Sequence, residues 1–494
     1  MSAGSQGERR AGRACAQRLT GTAPDETGFP LPEGAAAEWI DFDHEVRRIH
    51  RWSYVPPGSG AAQAVRLCHP DGRVREAALR EPEPVPELVA IRCADWVPAV
   101  QKRARRLLVA ALAGDPAGTL RRLTPIVLRL GRREQGAWAM ELFRAVLRGE
   151  PVAADTSWWD LRSSRGILLL GDTAEFLGEL RGSADLPTRR YAARLTLDAG
   201  LLGLRELARL AAGEHDPAAA RLWTDAALAA MAADGPDDGA IDTLIGARTP
   251  MVRSAGITTL RRAGRAAEAA DHLADRSGIV RACARWLVRQ DGGDPYPSCR
   301  ERLADPVRVT PYAVTGFAEC ARREDAPLLR TLLEHPAGPV RAAAVAGLRL
   351  LDTADDELLL PLLDDPSPAV AREAARSLGP SAGQLPADWL LARVAPEQPL
   401  HTRRAAYRLL FARGGINGLR ASVDLLSDED AGLRRLAGQR LGSLWSPYRP
   451  PALPIRDPEV GALLDRCTGV FSDHVLQRMR SQLGLPRATT TEGY

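Results

Sequence analysis

The chain has 494 residues, 45% of them hydrophobic and only 5% aromatic, and its cations are arginine throughout except for the single lysine, Lys102. A formal net charge of +4 over this length is too small to specify a polyanionic partner by itself. No run approaches the ~18 uninterrupted apolar residues of a membrane span, and the N-terminus lacks the apolar core of a signal peptide. A cytoplasmic protein with no membrane partner is therefore expected. Seven cysteines (Cys15, Cys68, Cys93, Cys283, Cys299, Cys320 and Cys467) make an odd number without a CxxC pair, so reduced thiols are expected and no zinc site.

Residues 1–35 are rich in Gly, Ala, Arg and Ser without helical periodicity, which predicts a disordered tail. The denser stretch Trp39–Tyr54 predicts a terminal helix, within a capping segment 36–60, whose aromatics close the open apolar end of the helical array. Residues 61–188 read as irregular helical units, with the register slipping between Gly114 and Arg181. They contain a strongly basic segment, 99–148. Eleven basic residues there face only Asp115, Glu134 and Glu141, a local excess of +8 that leaves −4 for the rest of the chain.

From 189 to 445 the pattern becomes regular. Segments that begin an apolar-plus-Arg pair recur at Arg189, Ala220, Val252, Val280, Val309, Val340, Val370, Thr402 and Leu433, a period of 28 to 32 residues. Four positions on stands a small residue, as at Gly256, Ala284, Ala344 and Ala374; eight positions on, an apolar one, as at Leu260, Phe317, Leu348 and Leu410. Offsets of zero, four and eight share one stripe of an α-helix, and the small residue lets neighbouring backbones approach. A second apolar run precedes each such helix (Leu204–Leu210, Leu328–Leu333, Leu358–Leu363, Leu419–Leu426), across a turn rich in Asp, His, Pro and Gly, so the unit is a helical hairpin. Asp216-Pro217, Asp305-Pro306 and Asp365-Pro366 are expected to start helices, because Asp caps free N–H groups and Pro fits a first turn. A Pro-rich connector, 446–457, then precedes capping helices over 458–485, which begin at Asp457-Pro458, and a disordered tail over 486–494.

Units of the form Asp-x4-Val-Arg-x2-Ala, as from Asp275 through Val280-Arg281 to Ala284, resemble HEAT repeats, most closely the short HEAT-like variety also found in bilin lyases. The resemblance covers Arg189–Trp445 and extends to His69–Leu79, which contains Val74-Arg75, and Asp95–Leu108. It implies an all-α fold, a HEAT-like α/α solenoid in which the hairpins wind as a right-handed superhelix. It further implies a ladder in which a second-helix Arg meets an Asp in the turns. The Arg position holds Arg190, Arg221, Arg253, Arg281, Arg341, Arg403 and Arg434, while Thr310 and Ala371 depart from it and His335 and Glu397 replace the Asp of their units.

Catalytic chemistry finds little footing. Asp41, Asp43, His44, Glu45 and His50 are metal-competent, but their spacing matches no metal loop, so a solvated helix face is expected. The glycine pairs Gly292-Gly293 and Gly414-Gly415 lack the GxGxxG and GxxxxGK[ST] patterns, and no GxSxG occurs. No cofactor is expected. In the basic segment Lys102, Arg103, Arg105 and Arg106 lie on one helix surface and could neutralise phosphates, although an arginine-rich chain produces such clusters by composition alone. Trp96, Trp138, Trp158 and Trp159 nearby are expected in the core, with base stacking as the alternative. Asp95-Trp96 and Trp159-Asp160 bear a superficial resemblance to the chemistry of alkylpurine DNA glycosylases, a branch of HEAT-like proteins that implies a basic groove.

The leading expectation is a non-enzymatic scaffold that binds a protein partner along its repeats. Sixth-position residues Thr258, Trp286, Thr315, Ala346, Arg376, Arg408 and Gln439 lie off the core stripe and share no single chemistry, which favours a protein surface over a phosphate backbone. Among them Trp286, Arg376 and Arg408 are the candidate contacts. Nucleic-acid binding or repair through 99–148 is the alternative, and tetrapyrrole handling, implied by the bilin-lyase resemblance, the third.

Overall fold

The computed structural model describes residues 31–32, 35–50, 61–148, 173–444 and 453–486. Most of the N-terminal tail, Trp158-Trp159-Asp160, Gly166–Leu170, most of the connector and the last eight residues lie outside the described residues. Among the described residues every regular element is a helix and none is a strand. The chain divides into two compact units, 1–259 and 260–494.

The three-offset stripe is buried as its periodicity requires. At offset zero Ala220, Val252, Val280, Val340, Val370 and Leu433 are fully buried; at offset four so are Ala193, Ala284, Ala344, Ala374, Ala406 and Ala437. At offset eight Leu260, Phe317, Leu348, Leu378, Leu410 and Leu441 are buried, while Leu197, Leu228 and Val288 are half-buried. A fully buried Leu or Phe side chain contributes about 1.5–3 kcal/mol, so this stripe outweighs any exposed ion pair at about 1 kcal/mol or less. The small residues have a steric cause: a Cβ on Gly256 would stand 2.8 Å from the Ile245 backbone nitrogen.

In the unit 1–259 the second helices stack in sequence, Leu186–Asp198 on Pro217–Asp234 and that on Pro250–Thr259, each also packed on its own hairpin partner. In the unit 260–494 Pro311–Ala318, Gly338–Leu350, Pro368–Ser377 and Leu400–Arg413 stack likewise, each on the next. Neighbour-on-neighbour packing of hairpins defines an α-solenoid, and both units have it.

First helices of the second unit are shorter than the apolar runs predict. Asp356–Leu359 passes into a 3-10 turn over Leu360–Asp364, and Ala326–Thr331 into another over Leu332–Glu334. Pro361 lacks the N–H that a longer α-helix from Asp356 would need, whereas Pro327 lies in the first turn of its helix, where no N–H is required. Asp216 does cap a helix, accepting from the Ala219 N–H at 3.0 Å. Asp305-Pro306 does not: Asp305 accepts from Val307 in a turn, and the helix begins at Pro311 with the Thr310 hydroxyl accepting from Ala313. Thr310 stands where neighbouring units carry Arg because it caps this late-starting helix.

The repeat arginines use both ends of the guanidinium. Arg341 Nη1 donates to the His335 and Pro336 carbonyls of its own turn, and Nε and Nη2 fork onto Asp365, in the turn that leads to the next second helix, at 2.8 and 2.7 Å. Arg190 forks onto Asp216 at 2.7 and 2.6 Å, Arg281 onto Glu319 at 3.0 and 2.6 Å, and Arg403 pairs with Asp428. Arg253 and Arg434 donate to carbonyls of their own turns, and Arg221 faces Asp225 on its own helix at 3.5 Å.

These rungs set an acid limit. The Arg190 hydrogen bond holds Asp216 below the usual carboxylate range; burial pushes Asp365 up, but Arg341 and the Ser367 N–H outweigh it and hold it below too. A carboxylate whose folded pKa is depressed stabilises the fold above its unfolded value, near 3.9, and loses that contribution as pH falls through the folded pKa. The melting temperature is expected to be flat above about pH 5 and to fall below about pH 4. An Asp216→Asn/Asp365→Asn variant should show a shallower acid slope; an unchanged slope by circular dichroism would refute the assignment.

A helix lies toward each end of the described residues. Ala36–His50 is a helix whose Trp39 and Phe42 are buried edge-to-face, centroids 6.1 Å apart. Pro458–Asp465, capped by Asp457, and Asp473–Gln482 bury Val460, Leu464 and Met479. Among the thiols, burial pushes Cys93 up to about 12 and Cys467 to about 11. Cys320 is pulled below the ordinary thiol range, first by the hydrogen bond from Cys299, 3.6 Å away, and also by the charges of Arg285 and Arg289. Iodoacetamide at pH 7.5 is expected to label Cys320 before either buried thiol, because the thiolate is the nucleophile; peptide mass spectrometry showing equal rates would contradict this.

Candidate functional site

Sixth-position residues stand off the buried stripe. Trp286 is 46% exposed, Thr258, Arg376, Arg408 and Gln439 are exposed, and Thr315 and Ala346 are half-buried. Among the described residues Arg376 pairs with Glu373 on its own helix, at 4.0 Å. The sixth positions thus range from half-buried to exposed, and they run through Thr, Trp, Thr, Ala, Arg, Arg and Gln rather than one chemistry.

The basic segment looks different folded than it does as a string. Arg121 donates to Glu179 at 2.6 Å, Arg122 to Glu87 at 2.9 Å, Arg129 to Asp185 at 2.7 Å and Arg148 to Asp198 at 2.6 Å. All four carboxylates come from outside 99–148, so the fold returns much of the local charge excess. Arg103 donates to the Leu79 carbonyl, and Arg105 to the Cys93 carbonyl while lying 4.6 Å from the centre of the Trp138 ring. Lys102 and Arg106 are exposed on this helix.

A buried charge network of the first unit lies beside this segment. The expected solvated face of the N-terminal helix is instead largely buried: Asp41, Asp43 and Glu45 are covered, and only His44 of the cluster with a described side chain is exposed. Asp43 goes inside because Arg47, at 3.1 Å, and Arg92 both bond it. Asp95 accepts a fork from Arg75 at 2.9 and 2.7 Å, a bond from Arg92 at 3.2 Å and one from the Val97 N–H at 3.0 Å. Four donors saturate its lone pairs. Arg75 repeats the repeat arginines' other bond as well, donating to the His69 and Pro70 carbonyls at 2.7 Å.

Over this network opens a cleft of about 410 Å³ lined by Asp43, His44, Arg47, Arg92, Trp96 and Arg133, with Ile91, Pro70 and Ala94 as apolar wall. Trp96 is 66% exposed rather than core, with the Arg47 and Arg75 guanidinium groups 4.6 and 4.7 Å from its ring centre. Arg133 enters from a separate turn and donates to His44 Nε2 at 3.3 Å, which requires that nitrogen unprotonated. Burial pulls the Arg133 guanidinium below its ordinary value, partly offset by the Asp43 charge. Among the described residues no group of three His, Cys, Asp or Glu side chains could hold a metal, and no helix is long and apolar enough to cross a membrane.

No family model and no curated protein matches the chain. Among solved structures, that of importin beta in an ammonium sulfate condition aligns over 96% of this chain and 64% of its own, at 14% identity and a TM-score of 0.30. The chain therefore spans less than two thirds of that structure. It is a helical-repeat protein on the packing of its own hairpins.

The rung Arg75–Asp95 was within reach of sequence reasoning, since Val74-Arg75 carries the repeat pattern and an Asp follows in the next turn. Arg47, Arg92 and Arg133 carried no such signal. They come from an end helix, a first helix and a turn, and only folding brings them together.

Proposed function

We propose that the chain is a non-enzymatic protein-interaction scaffold that uses the exposed side chains of its HEAT-like hairpins. The observation that carries this reading is the contrast along the second helices: offsets zero and four are buried almost throughout, while the sixth positions are exposed, or half-buried at Thr315 and Ala346, and mix aromatic, cationic, polar and aliphatic groups. A uniform polymer such as nucleic acid would favour a track of like charges. The pairing of Arg121, Arg122, Arg129 and Arg148 with carboxylates also weakens the phosphate-binding alternative. A glycosylase-like use of Asp95 is disfavoured for a separate reason. Its carboxylate is 3% exposed and already saturated, so it has no lone pair for a cationic base.

The test is affinity capture from the native cell extract, with and without nuclease and at two salt concentrations. Wild type is set beside Trp286→Ala/Arg376→Glu/Arg408→Glu and beside Lys102→Ala/Arg103→Ala/Arg105→Ala/Arg106→Ala. The scaffold reading expects a stoichiometric protein that survives nuclease and is lost from the first variant. Recovery of nucleic acid alone, lost from the second variant and falling steeply with salt, would replace it with nucleic-acid binding. A co-purified pigment absorbing visible light would favour tetrapyrrole handling.

A further inference from the structure

We propose that the Trp96 cleft is a recognition pocket for an acidic peptide segment, taking a side-chain carboxylate on Arg133 and His44 and an adjoining apolar side chain against Trp96. The assignment rests on the scaffold reading and names the chemistry of one contact within it.

Charge balance comes first. Arg47, Arg75 and Arg92 converge on two carboxylates, Asp43 and Asp95, and with Arg133 beside them the group carries two positive charges in excess. The carboxylates are held by Arg47, Arg75 and Arg92, so the cleft cation without a direct ion pair among the described residues is Arg133. Among the described residues it has no carboxylate within ion-pair distance, and its hydrogen bond goes to the His44 ring nitrogen. A half-buried guanidinium in that state gains from an incoming carboxylate, which matches its planar fork. The Nε of Arg92, also lining the cleft, is buried without a hydrogen-bond partner among the described residues.

Shape and surroundings then select the ligand. The volume lies within the range of about 300–1,000 Å³ usual for pockets, with Ile91, Pro70 and Ala94 supplying apolar wall. Trp96 stands two-thirds exposed at the mouth, so a bound group continues outward past an aromatic surface, as side chains on a peptide do. A nucleic-acid backbone would need further unpaired cations in a row beyond Arg133. The neighbouring Arg121, Arg122 and Arg129 are instead committed to Glu179, Glu87 and Asp185.

The experiment uses the full chain and fluorescence anisotropy. The probe is a labelled hexapeptide of alternating glutamate and phenylalanine, compared with its glutamine counterpart. The acidic peptide is expected to bind at least about tenfold more tightly than the glutamine one, and Arg133→Gln and Trp96→Ala are each expected to weaken it by about tenfold. Arg133→Lys should retain part of the affinity, Lys102→Ala all of it, and each variant's thermal melt controls for folding. Equal binding of the two peptides, or affinity indifferent to Arg133→Gln and Trp96→Ala in folded variants, would overturn the assignment. So would equally effective displacement by an oligothymidylate or by inorganic phosphate, which would turn the cleft into a phosphate site. A chain that rejects the probe but still captures its partner after nuclease loses the cleft and keeps the scaffold; one that binds the probe but captures no protein does the reverse.

Discussion

Replacing Asp95 with alanine is expected to destabilise the unit 1–259 by about 3–5 kcal/mol, the cost of breaking a buried ion network by removing one partner. Arg75 and Asp95 side chains are fully covered and Arg92 is 1% exposed, so the variant leaves the desolvated Arg75 without a carboxylate and Arg92 with Asp43 alone. The hydrogen bonds of Arg75 to the His69 and Pro70 carbonyls would remain, but its fork would have nothing to grip. Glu179→Ala is the comparison, because its pair with Arg121 is about half exposed on both sides and should contribute no more than about 1 kcal/mol. Urea unfolding of the two variants separates them. If Asp95→Ala costs no more than Glu179→Ala, water reaches the network, and the charge-excess argument for the cleft fails with it.

Phe317→Ala should cost about 3–5 kcal/mol in the unit 260–494, the usual price of emptying a buried aromatic position. Phe317 is fully buried at offset eight of its repeat, its ring centroid 5.9 Å from that of Tyr296, within the cluster that joins Leu273, Ala284, Leu329 and Ala344. The neighbouring repeat supplies the contrast. Trp286, at offset six and 46% exposed, should change stability by about 0.5 kcal/mol or less when cut to alanine. Stability unmoved and partner capture lost at Trp286, against stability lost at Phe317, would separate surface from core along one helical register. A large destabilisation by Trp286→Ala would instead mean that this indole is packed, and would remove it from the binding surface.

Sequence alone carried the helical period far. Small and apolar side chains recurring at fixed offsets can be satisfied only by one face of a helix stacked on another, so the buried positions of the repeats from Ala220 to Leu433 followed from spacing. Of the aspartates before proline, Asp216 caps its helix, while Asp365 accepts from the Ser367 N–H in a turn and the helix begins at Pro368. At Asp305 the start slipped to Pro311, because Thr310 offered a closer cap. These are local matters, decided within a few residues of chain.

What tertiary structure decided was charge and exposure. The run 99–148 is basic as a string, but Glu87, Glu179, Asp185 and Asp198 return from up to 58 residues away to neutralise four of its arginines. Asp43 looks like a solvated helix residue until Arg92, 49 positions later, is folded against it. Trp96 has the composition of a core residue and an exposed position. The physical reason is range: apolar periodicity is written in neighbours three and four residues apart, whereas a Coulomb partner can come from any segment that folding brings within 4 Å.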